Sequence, residues 1–177
     1  MTRTVSTGFS LAELLTAIAV MALVASVAVP IVSDTRPDAP QAALQAITDA
    51  LRYARERASL TGDVYGVDVA DNELRVFRLS AMTSPGTPEY DVVNPLTRQP
   101  YRLRFGEGAY RDIDVGPWTL QSDSSCNAST RVGFDAQGLS RCIDPLSLRV
   151  KAQLAVSYRG TSFRVGIEPL TGRVRYQ

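Results

Sequence analysis

From Phe9 to Val32 the chain runs for 24 residues with a single charge, Glu13. About 20 apolar residues are enough for a helix to cross a bilayer. This stretch therefore predicts a membrane-crossing helix. A short leader with one positive charge, Arg3, precedes it and ends in Gly8. A secretory signal peptide carries its small-residue cleavage site after the apolar region. Here the small residue comes first, so cleavage at Gly8 would keep the whole run at the start of the mature chain. A carboxylate inside a membrane helix costs on the order of 2.5–3.5 kcal/mol, and residues of this kind usually serve a function. After Arg3 the next basic residue is Arg36. The positive-inside bias places the leader in the cytoplasm and residues from about 33 onward across the membrane.

Gly8, Phe9, Glu13 and Pro30 together resemble the prepilin peptidase junction of type IV pilins and pseudopilins. Gly8 would precede the cut and Phe9 would become the new N-terminus. Glu13 would stand fifth in the mature chain and Pro30 twenty-second. The resemblance implies three segments: a leader over 1–8 removed by prepilin peptidase, a transmembrane and assembly helix over 9–32, and a periplasmic domain over 33–177. It also implies methylation of the Phe9 amine, a bacterial inner-membrane location with one crossing, and assembly with other pilin or pseudopilin subunits. In that family the matching Glu neutralises the N-terminal amine of a neighbouring subunit. Desolvated opposite charges attract strongly, and an unpaired one is costly. This gives Glu13 an assembly role, with Pro30 marking the family's helix distortion.

Pro37 and Pro40 follow within a short polar stretch. Each removes a helical hydrogen bond and restricts the residue before it. They predict a break near 34–40 and a new helix from about Ala39. Leu44, Ile47, Leu51, Ala54 and Ala58 then recur at spacings of three and four, the pattern of one buried helix face over 41–61. Gly62 is a stop signal. Beyond it the period becomes two. Residues 64–69 and 74–79 flank Asp71-Asn72 as a hairpin. Residues 101–105 and 113–120 read as strands, with Trp118 as a core or interface anchor. Residues 80–100 and 121–130 read as loops. Strands over 131–135, 152–158, 162–168 and 172–176 complete an antiparallel meander. The expected fold is α+β and pilin-like: a membrane helix broken near 34–40, then an amphipathic helix packed on one twisted antiparallel sheet of about six to eight strands.

Composition excludes more than it identifies. Acidic and basic residues nearly balance, 18 against 19, and there is no His. This removes His-based acid–base catalysis and His metal ligands. No Gly-x-Ser-x-Gly elbow or Gly-rich phosphate loop accompanies the serines and threonines. The reading is of a non-enzyme with no cofactor and no metal. Cys126 and Cys142 enclose 15 residues. An exported location permits a disulfide between them, which would stabilise the domain by about 3 kcal/mol in the chain-entropy account. Their spacing fits neither a zinc set nor a Cys-X-X-Cys redox site.

Three further segments resemble the H-type pseudopilin and FimT-type minor pilin family. They are Leu51-x-x-Ala54-Arg55-x-x-Ala58, Phe134-Asp135-x-x-Gly138, and Thr171-Gly172-Arg173-Val174. The resemblance implies a structural subunit of a type II secretion pseudopilus or type IV pilus, at or near the fibre tip. The C-terminal Gly172-Arg173-Val174-Arg175 also matches the Gly-Arg-x-Arg pattern of DNA-binding members that act in DNA uptake. Residues two apart on a strand share a face, so Arg173 and Arg175 could reach one phosphate backbone, with Arg164 and Arg159 extending the patch. A weaker reading is adhesion through the 80–130 loops by Trp118 and Tyr110.

Overall fold

The computed structural model describes residues 10–28, 39–79, 87–121, 130–143, 147–148 and 150–176. The chain divides into two compact units, Met1–Pro37 and Asp38–Gln177.

In the first unit α1 spans Leu11–Ala28. The Ser10 carbonyl accepts the first bonds, from the amides of Glu13 at 2.9 Å and Leu14 at 3.2 Å. Glu13 lies in the first turn, where the helix dipole favours a negative charge. Every described side chain from Ser10 to Met21 is exposed. These include Leu11, Leu14, Leu15, Ile18, Val20 and Met21. Among the described residues no helix is long and apolar enough to cross a membrane. The 18 residues of α1 rise about 27 Å, just short of a hydrocarbon core of about 30 Å.

The second unit carries its own core, whose described members run from Ala43 to Ile167. Its helix, α2, spans Ala39–Thr61. Pro40 sits in the first turn, where its missing N–H costs nothing. The predicted face is the buried one: Leu44, Ile47, Leu51, Ala54 and Ala58 all lie in the core. Thr48 interrupts that face, and its hydroxyl is satisfied by the Leu44 carbonyl at 2.7 Å. Gly62 ends the helix at φ +82°, donating to the Ala58 carbonyl at 2.9 Å. The expected break over 34–40 falls largely outside the described residues.

All strand pairings are antiparallel. One sheet has the order β3-β2-β1-β5-β6-β7, built from Arg102–Arg104, Glu73–Leu79, Val64–Ala70, Arg131–Phe134, Ser140–Cys142 and Ser147–Leu148. The other has the order β10-β9-β8-β4, built from Val174–Tyr176, Thr161–Ile167, Lys151–Tyr158 and Ile113–Gln121. This corrects the expectation of one sheet. The long strands were legible from their alternation, but β4 pairs with β8 rather than with a neighbour in sequence. The extra strands β6 and β7, of three and two residues, are too short to show a period.

Asp71 and Asn72 have φ of 52° and 59°. Positive φ at both central residues is the requirement of a type I′ hairpin turn, which Asp and Asn tolerate. Asn72 does more than turn. Its Oδ1 accepts the Val115 amide at 2.7 Å, and its Nδ2 donates to Asp114 Oδ1 at 3.2 Å. One side chain thus ties the tip of the first sheet to β4 of the second. Within β4 the register shifts between Val115 and Trp118. Pro117 lies in this bulge on an edge strand, where no ladder bond is lost.

Gly66 and Gly133 face each other across β1 and β5. A Cβ at Gly66 would collide with Phe77 and the Val132 carbonyl, and one at Gly133 with Ile143. The two glycines make room for a second small core of Phe77, Leu79 and Ile143. The segment 87–101 closes over it. Arg78 and Glu89 exchange backbone bonds at 2.9 and 2.8 Å, and Tyr90 packs edge-on to Phe77 at 6.2 Å.

Candidate functional site

The assembly residues fall unevenly on the described chain. Glu13 is exposed in the first turn of α1. Gly8, Phe9 and Pro30 lie outside the described residues. Cys142, fully buried in β6, is disulfide-bonded. Cys126 lies outside the described residues.

The three internal segments that carry the family resemblance meet at one place. Asp135 is buried and organises the β5–β6 turn. Its Oδ1 accepts the amides of Gln137 and Leu139, both at 2.9 Å, and its Oδ2 pairs with Arg141 Nε at 2.9 Å. Gly138 completes the turn at φ +73°. Gly172, at φ +60°, lies so close that a Cβ there would overlap the Gly138 carbonyl oxygen. Both glycines abut Arg55 of α2, whose Nε would stand 2.9 Å and 3.2 Å from their Cβ positions. The signature therefore describes a packed junction of a helix and two turns. It explains Gly172 without a ligand.

The arginines beside Gly172 face outward. Arg175 pairs with Gly166, Gly166 with Gln153, and Arg164 with Ala155. The Arg173 carbonyl accepts the Glu168 amide at 2.9 Å. Cross-strand partners and residues two apart share a face. Arg173, Arg175, Arg164 and Lys151 accordingly lie on the outer face of the second sheet, all exposed. Lys151, Arg164 and Arg175, with Gln153 and Glu168, surround a hollow of ≈ 220 Å³ floored by Gly166. Such a hollow suits an anionic group. Lys151 was not anticipated as a member; only the strand register brings it there. Arg159, expected to extend the patch, does not. It sits in the β8–β9 turn at φ +47° and is committed to Asp112 at 2.7 Å.

The aromatic residues proposed for adhesion serve the domain itself. Trp118 is 5% exposed in the main core. Tyr110 packs against Phe105 at a ring distance of 5.3 Å.

The described chain thus comprises an apolar helix and, as a separate unit, an α+β domain of one helix and antiparallel sheets. The solved structures similar to this chain include two of the minor pseudopilin EpsH from the type 2 secretion system of Vibrio cholerae. One gives a TM-score of 0.53 at 15% identity over 78% of this chain and 93% of that one. The other gives 0.51 at 14% identity over 77% and 94%. The type IV minor pilin FimU of Pseudomonas aeruginosa gives 0.46 at 16% identity over 77% and 91%. No protein-family model and no curated protein sequence matches the chain. The likeness to the two EpsH structures shows a fold shared with that minor pseudopilin.

Proposed function

We propose that this protein is a minor pilin or pseudopilin, a structural subunit that enters the bacterial inner membrane through its N-terminal helix and joins a fibre through the same helix. The observation that carries the reading is an α1 whose described side chains, Leu11 to Met21, are all exposed and, apart from Glu13 and Thr16, apolar, in a chain whose second unit has the EpsH fold. A helix apolar all round belongs in lipid or among other helices. The apolar run of 24 residues would, as a helix, rise about 36 Å, enough to cross. Prepilin peptidase would cut after Gly8, methylation would follow at Phe9, and Glu13 would meet the amine of a neighbouring subunit. The fold likeness to EpsH, a type 2 secretion pseudopilin, supports a type II secretion pseudopilus as the fibre, and a position at or near its tip is part of this proposal. Glu13→Ala should leave the protein in the membrane fraction and remove it from sheared or cross-linked fibres. Normal incorporation would overturn the pairing role.

A second reading is DNA binding through Arg173, Arg175 and Arg164 in an uptake machine. It is supported by the grouping of these arginines with Lys151 on one exposed face. Phosphate contacts weaken steeply with salt. The domain over 38–177 should then bind DNA at low salt, and Arg173→Ala with Arg175→Ala should abolish binding. No binding by the folded domain would remove this reading and leave the structural one standing.

A further inference from the structure

The outer face of the second sheet is polarised. One end carries Lys151, Arg164, Arg173 and Arg175, with Glu168 among them. At the other end Asp114 pairs across with Ser157, and Ser157 with Ser162. There Asp71 and Asp114, with Gly116, Ala155, Ser157 and Ser162, line a hollow of ≈ 610 Å³. Among the described residues, none of Lys151, Arg164, Arg173, Arg175, Asp71 and Asp114 takes part in an ion pair. Between the two ends the face is low. Arg164 pairs directly with Ala155, and Gly116 lies against the Ala155 Cβ. Beside Arg164, the positions Gly116 and Ala155 carry no long side chain, so another flat surface can approach closely there.

We propose that this face docks a second copy of the chain, the basic end of one against the acidic end of the other. The surface carries both halves of the charge match, so it is complementary to itself. In a twofold pairing Arg164 of one copy would face Asp114 of its partner, and the reverse contact would follow by symmetry. Four strands about 4.8 Å apart and averaging about seven residues at about 3.3 Å each give roughly 450 Å² per copy. A total near 900 Å² belongs to weak, transient contacts. Charges on an exposed rim respond strongly to salt.

Sedimentation velocity of the 38–177 domain, whose core is its own, tests this without DNA or fibre. The weight-average mass of the wild type should rise toward that of a dimer as concentration increases from about 10 µM to about 1 mM at low salt, and fall back at about 0.5 M salt. Arg164→Glu and Asp114→Arg should each remain monomeric, because each puts like charges together twice. An equimolar mixture of the two should associate again. Should Asp114→Arg disturb the Asn72 contact and unfold, Ser162→Arg places a positive charge in the same hollow without touching that bond. A wild type monomeric throughout, variants that still associate, or a mixture that fails to recover would each overturn the proposal.

Discussion

Gly172 is caught between two constraints, a left-handed φ of 60° and the Gly138 carbonyl beside it. Gly172→Ala should cost about 1–3 kcal/mol through backbone strain and overlap. Arg173→Ala, one residue on and exposed, should change stability by no more than about 0.5 kcal/mol. Urea unfolding midpoints of the two variants would separate the structural part of Gly-Arg-x-Arg from any binding part. Equal costs would show that the motif does not divide this way. The sequence displayed Gly172 as a turn residue, since glycine beside Thr and Leu reads so locally. Its contact with Gly138, 34 positions earlier, involves no local signal. Asn72 is similar: its turn role was legible from Asp-Asn chemistry, while its bonds to Val115 and Asp114 depend on where β4 lies.

At the scale of elements, the segment 87–101 acts as a strap across the first sheet. The Tyr90 hydroxyl donates to Asp68 Oδ2 at 2.5 Å. Burial, with this bond and the nearby carboxylate, pushes the Tyr90 pKa from 10.0 up to about 12. Between those values the folded protein keeps a proton that the unfolded chain releases. Stability is therefore full below about pH 10 and falls as pH rises toward about 12. Tyr90→Phe should lessen that decline between about pH 10 and pH 12 in denaturant titrations. Tyr101, raised by burial, would retain part of it. An unchanged slope would show that the strap is not held through this hydroxyl. None of this was visible beforehand, because a stretch rich in Pro, Ser and Thr reads as loop. By contrast, α2 and the β1–β2 hairpin were legible to within a residue or two. Their signals are a 3.6-residue period, a Gly stop and a turn that tolerates positive φ, and all of these lie within a few residues of one another.

At the scale of the molecule, two units divide the work, and each has a distinct physical requirement. The described side chains at the start of α1 are exposed and, apart from Glu13 and Thr16, apolar, which is the basis of the assembly role proposed above. The second unit is complete in its core and presents charged faces. The test of Glu13 addresses the first unit, and the charge-exchange test addresses the second. By itself, the amino-acid sequence determined the apolar run, the amphipathic face of α2, the turns and the alternation of the long strands. Each follows from the chemistry of residues close along the chain. Only the tertiary structure decided that the described strands form two sheets, that Gly138 and Gly172 meet at Arg55, and that Lys151 joins Arg164 and Arg175 while Arg159 pairs with Asp112. Period two tells which residues share a face of a strand. It does not tell which strand lies alongside, because that choice is made by contacts between residues far apart in the chain.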